Sequence, residues 1–171
     1  MLSEQAVAAQ VAIETLSTLS RGIYPRRLAD EGLGAALRSA VAGSAMPVTI
    51  DTHGLGRLAA PVEAALYFCC IEAVQNAAKH SAAATVSVRV DEYRYRWQLT
   101  VTDGGVGFDQ APGASAKGAG LANMRDRLDA VGGTVQVVSA EGTGTTVTAV
   151  VPRPDEAVTV PETRPLTHEV V

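Results

Sequence analysis

Clusters of basic residues are missing from this 171-residue chain, whose net charge is -4. Without a Lys/Arg stripe it lacks the electrostatic footprint of a nucleic-acid binder, and it has no polybasic patch to hold a membrane surface. No apolar run approaches the ~18 residues that span a bilayer, and the N-terminus has no charged segment leading into a signal-peptide core. A soluble, cytoplasmic chain is the expectation. Cysteine is scarce: Cys69 and Cys70 stand side by side in a helical pattern, where neighbouring side chains point in different directions and do not easily bond to each other. No further Cys or His lies at ligand spacing, so both read as small core residues in a reducing compartment. The Gly-x-x-x-x-Gly-Lys-Ser/Thr loop is absent, as is the pairing of His-Arg-Asp with Asp-Phe-Gly. Gly32-Leu33-Gly34 opens a helix but follows no strand, which excludes a Rossmann site by context. His53 and His168 sit in a loop and in the tail and read as surface residues.

What is present, 47% hydrophobic and 19% charged residues, suits one globular domain with a helical or linker extension. Residues 3–20 carry apolar side chains at helical intervals, and Ile23-Tyr24-Pro25 breaks that pattern. Gly32 to Gly34 opens a second helix that runs to about Val41, and Val48-Thr49-Ile50 is a short strand. Pro61 starts the longest helix, which ends at His80. Residues 84–91 and 95–102 alternate in β fashion and predict a hairpin turning around Glu92 to Arg94. Residues 104–118, rich in Gly, Ala and Ser, predict a mobile loop. A helix is expected over 119–130, ended by Gly132-Gly133, then strands over 134–139 and 145–151, and a disordered tail from Pro152 onward. Strands and helices do not alternate strictly. An α+β fold follows, a two-layer sandwich with helices on one face of a mixed sheet.

Four segments could carry chemistry. In the long helix, with Glu72 as the angular origin, Lys79, Asn76 and His80 fall at about -20°, 40° and 80°. The apolar stripe of Leu66, Cys69, Ala73 and Ala77 lies just beyond them, which puts the polar cluster on the rim of the buried face. Glu63, by the same wheel, is expected opposite the core on a solvated face. Asp103-Gly104-Gly105-Val106-Gly107-Phe108 ends a strand with backbone that a planar ligand could approach closely, although Asp-Gly alone is also a common turn. Lys117-Gly118-Ala119-Gly120-Leu121 enters a helix whose free N–H groups suit phosphate, or merely a flexible entry. Gly142-Thr143-Gly144-Thr145 precedes the last strand.

In this order the segments resemble the N, G1, G2 and final boxes of the GHKL or Bergerat ATP-binding fold, in the form found in the catalytic domain of bacterial sensor histidine kinases. Gly104 stands where that family often has asparagine. The resemblance covers residues from about 24 to 152 and implies ATP and Mg2+ as ligands. It makes Asn76 the Mg2+ ligand and sets Lys79, His80, Gly118, Gly120 and Leu121 near the phosphates. By the same resemblance Asp103 would accept from the adenine amino group, with Gly105, Gly107 and Thr145 around the base. Glu72 is either catalytic or an orienting group. The segment from Tyr24-Pro25 to Leu37 is similar to that of the subclass akin to nitrate/nitrite sensors, whose response-regulator partners usually carry LuxR-like output domains.

The phosphoacceptor block of the family, a histidine followed by an acidic residue on the first dimerisation helix, is absent. Residues 1–31 are therefore expected to be the end of a dimerisation helix and its linker, 32–152 the ATP-binding domain and 153–171 the tail. The phosphoacceptor would lie on a dimerisation domain outside the chain, in a homodimeric full-length protein. A serine kinase of the anti-sigma-factor type, sharing the pocket, and a non-enzymatic nucleotide-binding or interaction module remain as alternatives.

Overall fold

The computed structural model describes residues 25–44, 46–109 and 119–154. Within these residues four helices and five strands follow in the order α1 (Arg26–Glu31), α2 (Leu33–Val41), β1 (Val48–Asp51), α3 (Ala60–His80), β2 (Val86–Tyr93), β3 (Arg96–Asp103), α4 (Ala119–Asp129), β4 (Thr134–Ala140) and β5 (Gly144–Pro152). The strands form one sheet in the order β1-β2-β3-β5-β4. Only the β1–β2 pairing is parallel; the other three are antiparallel. The sheet is thus mixed, with the helices on one face, as the interrupted strand-helix pattern predicts.

Alternation along the strands decides which face is covered. Val86, Val88 and Val90 of β2, Trp97, Leu99 and Val101 of β3, and Val147, Ala149 and Val151 of β5 are buried in the same core as Leu66, Cys69, Cys70 and Ala73 of α3. The residues between them, mainly Thr, Ser, Gln and Arg, face the other way. Leu66, Leu99 and Leu128 are wholly buried, each contributing about 1.5–3 kcal/mol through the apolar surface removed from water. Cys69 and Cys70 are both free and buried. Burial, reinforced by Glu72, pushes the Cys69 thiol up to about 12, and burial followed by the neighbouring Cys69 raises that of Cys70 further. Both therefore stay protonated and act as small apolar fillers.

Three features depart from the expectations. A short helix, α1, follows Pro25, which accepts the Leu28 N–H at 2.9 Å; only Leu28 of its six residues is buried, too few for a period to register. The hairpin strands lie one or two residues later than expected and turn at Arg94-Tyr95. The polar end of the ladder is held by side chains: Arg96 stacks on Tyr93, and Arg153 pairs with Glu92. Third, Glu63 is not on a solvated face. It is wholly buried, paired with Arg57 at 3.0 Å. The apolar stripe of α3 is centred near 120° from Glu72, so a residue at 180° lies only about 60° from its middle. The expected helix over 3–20, the Gly118 end of the 104–118 loop and the tail beyond 154 lie outside the described residues.

Candidate nucleotide site

The C-terminal half of α3, the ends of β3 and β5 and the start of α4 surround a cavity of about 750 Å3, within the range of small-molecule sites. Asn76 and His80, one turn apart on α3, line one side. Asp103 lines the floor, and Thr145 stands directly across the β3–β5 ladder from it. Gly107 belongs to the loop after β3, and Gly120 and Leu121 to the first turn of α4. Between them Ala73, Val101, Met124, Val137 and Val147 make an apolar wall suited to a flat ring.

The loop that follows β3 is held from both sides. Gly105 N–H donates to Asp103 Oδ1 at 3.0 Å, turning the chain at the strand end. Val106 N–H then donates to the Ser81 carbonyl beyond the end of α3, and Gly142 N–H to the Val106 carbonyl, both at 2.7 Å. This passage leaves no room for side chains. A Cβ on Gly105 would run into the Ser81 carbonyl, and one on Gly107, whose φ is +61°, into that of Ala140. Gly144 has φ +84° and packs against the Asp103 carbonyl in the same way. These glycines shape the floor because the backbones of three elements meet there.

The remaining candidates lie outside the cavity lining. Lys79 is exposed on the last turn of α3. Glu72 lines a separate small recess with Phe68, Ile71, Asn123, Met124 and Arg127. Its carboxylate occupies the place a Cβ on Gly120 would take, so Gly120 lets α4 approach α3 closely. Arg127 closes the outer side of this contact by stacking on Phe68 at 4.3 Å. Gly118 lies outside the described residues. His53 is exposed, with its backbone N–H on Asp51 Oδ1.

Phe108, Asp109 and Glu141 also line the cavity, and none was read from the sequence as contacting a ligand. With Asp103 they bring three carboxylates to a lining in which, among the described residues, His80 is the only basic side chain. Among the described residues no group of three His, Cys, Asp or Glu could hold a metal by itself. A single amide oxygen, that of Asn76, is a hard donor of the kind Mg2+ accepts when phosphate oxygens and water fill its other positions.

The sequence model of the histidine kinase-, DNA gyrase B- and HSP90-like ATPase family matches residues 62–155. The chain belongs to this family. Among curated proteins it is 35% identical over 149 residues to the sensor histidine kinase MctS of Rhizobium johnstonii, covering 83% of this chain and 32% of that protein. It is 32% identical over 148 residues to the oxygen sensor histidine kinase NreB of Staphylococcus carnosus, covering 84% and 43%. The chain thus spans less than half of the length of these relatives. Among solved structures it resembles the histidine kinase domain of a blue-light activated kinase from Erythrobacter litoralis, with TM-score 0.56 at 20% identity over 70% of this chain and 57% of that one. The ATP-binding domain of PrrB from Mycobacterium tuberculosis gives TM-score 0.54 at 21% identity over 71% and 91%. At these identities the structural likeness speaks for the fold, a helix-backed mixed sheet.

Proposed function

We propose that the chain is the ATP-binding catalytic domain of a sensor histidine kinase, passing the γ-phosphoryl group of ATP to a histidine on a dimerisation domain outside this chain. From there the group would pass to a response regulator, one with a LuxR-like output domain if the linker similarity holds. The reading is carried by one observation. Asn76 of α3, Asp103 of β3 and Gly120 of α4, from three motifs distant in sequence, line a single cavity with an apolar wall. Residues 32–152 are taken as the ATP-binding unit and 1–31 as the linker from the dimerisation helix. Phosphoryl transfer consists mostly of positioning and charge neutralisation, so this unit binds nucleotide but transfers little without its acceptor. Since ATP and the regulator meet inside the cell, the domain works in the cytoplasm. Among the described residues no helix is long and apolar enough to cross a membrane.

Within the cavity the base is assigned to the apolar wall beside Asp103 and Thr145, and the phosphates to the Asn76, His80 and Gly120 side. Lys79 and Gly118 are assigned to the phosphate side as well. Glu72, behind Gly120, is assigned the orienting role. Asn76 would hold Mg2+, which would supply positive charge against the triphosphate. Three carboxylates in the lining make that neutralisation necessary, because a polyanion entering alone meets like charge. Calorimetry should therefore find ADP binding that weakens at least tenfold when Mg2+ is removed. In Asn76→Ala that Mg2+ dependence should largely vanish, and an undiminished dependence would remove Asn76 from the metal.

The activity itself is tested by mixing the chain with a separate dimerisation domain of a relative and labelled ATP. Acid-labile, alkali-stable label on the added domain is expected. Acid-stable label would indicate a serine kinase, and no label on either protein, with nucleotide bound, a binding module.

A further inference from the structure

Ser139 of β4 is buried and has no part in the family motifs, yet it ends a row of side chains that crosses the cavity floor. Asp103 pairs with Thr145 across β3–β5, and Thr145 pairs with Ser139 across β4–β5. Directly opposed residues of antiparallel strands share a face, so the three stand side by side on the helix-facing side of the sheet. Asp103 and Thr145 line the cavity.

The Ser139 hydroxyl offers one proton and two lone pairs. One lone pair takes the Phe108 N–H at 2.9 Å. The Gly144 carbonyl, which can only accept, stands 3.0 Å away and takes the proton. Thr145 Oγ1 is also 3.0 Å away, and the lone pair left on Ser139 is satisfied only if Thr145 donates. Thr145 then has no proton for the cavity and turns only lone pairs toward it. Asp103, whose Oδ1 is engaged by Gly105 N–H, adds a carboxylate oxygen. The two side chains of this row that face the cavity thus present acceptors alone.

We infer that Ser139 is a specificity-determining positioning residue: by drawing the Thr145 proton away from the cavity, it favours a 6-aminopurine, which brings N–H donors at position 6, over a 6-oxopurine, which brings an acceptor at that position. The inference rests on the proposed adenine-nucleotide site and adds the element that makes its floor one-sided. An unmatched polar pair of this kind is how a site rejects a close analogue.

The test compares ADP with inosine diphosphate, whose base differs at the 6-position and in its N1 proton, by calorimetry with Mg2+. The proteins are wild type, Ser139→Ala, Thr145→Val and the double variant. Wild type should prefer ADP. Ser139→Ala frees the Thr145 proton to donate to a 6-oxo group, so the ADP:IDP affinity ratio should fall about fivefold to tenfold, chiefly through tighter IDP binding. In the Thr145→Val background the same substitution should leave the ratio unchanged. A purely structural role would weaken both nucleotides in parallel. A ratio unaffected by Ser139→Ala, or lowered as much without the Thr145 hydroxyl, overturns the inference. Should the alanine variant not fold, Ser139→Cys fills the space with a poor hydrogen-bond partner and should lower the ratio by a smaller factor; an unaltered ratio there overturns it equally. A folded wild type that binds neither nucleotide refutes the adenine site itself, and this inference with it. A wild type that selects ADP while its serine variants keep the ratio refutes the inference alone.

Discussion

Asp103→Asn should weaken ADP binding by about 30-fold to 100-fold while leaving thermal stability almost unchanged. The two effects separate because the two oxygens of the carboxylate have different tasks. Oδ1 accepts the Gly105 N–H at 3.0 Å and so shapes the turn that ends β3. An asparagine must keep its carbonyl oxygen at that position to preserve the turn, which directs its NH2 into the cavity. There a charged acceptor is replaced by a donor, facing the amino group assigned to that spot. The loss combines a charge-assisted hydrogen bond, about 1.5–3 kcal/mol, with a donor left facing a donor. Asp103→Ala is a poorer probe, since it removes the turn bond as well as the base contact. Calorimetry with ADP and Mg2+ is the measurement, alongside a melting curve. Wild-type affinity in a folded Asp103→Asn protein would mean that the base sits elsewhere.

Much of this site is legible in the sequence because its glycines stand where elements end. A strand of alternating Val and Thr running into Asp103-Gly104-Gly105, and a helix entered through Gly120, each announce a boundary, and the sheet brings those boundaries to one edge. The helix-facing sides of β2, β3 and β5 are legible for the same physical reason, since one buried face imposes a period of two. Asp109, Glu141 and Ser139 are not, because their places depend on register. Ser139 reaches Thr145 only through the β4–β5 pairing, and Glu141 reaches the cavity only because the turn at Gly142 is tied to Val106. No local pattern around either residue encodes those partners. The exposure of Lys79 and the recess around Glu72 illustrate the limit of a helical wheel. It gives an angle about the α3 axis, whereas the approach of α4 at Gly120 decides what that angle faces.

The same limit accounts for Glu63, and it makes Arg57→Ala the substitution with the largest expected cost in stability. Glu63 sits in the first turn of α3 with no exposed surface, where α1, α2 and the loop before α3 close over a position at the margin of the apolar stripe. Its carboxylate accepts from Arg57 Nε at 3.0 Å and Nη2 at 3.3 Å, and from the Leu58 N–H at 3.1 Å. Arg57 Nη2 also donates to the Ala29 carbonyl at 3.0 Å, so one guanidinium joins the end of α1 to the start of α3. The two partners are unequal: the Arg57 side chain is 55% exposed, that of Glu63 wholly buried. Removing Arg57 therefore strands a carboxylate that has little access to water, whereas removing the charge on Glu63 returns a guanidinium to solvent. Breaking a buried pair from this side costs about 3–5 kcal/mol, and the exposure of Arg57 sets the expectation at the lower end, about 3 kcal/mol or roughly 10 °C in melting temperature. Glu63→Gln, which keeps an acceptor for Leu58 N–H, should cost about 1 kcal/mol. Added to Arg57→Ala, it should recover part of the loss, because the stranded charge is then gone. Urea unfolding of the two single variants and the double variant measures this coupling. Simply additive costs would mean that Glu63 draws its stabilisation from groups other than Arg57, such as the Leu58 N–H.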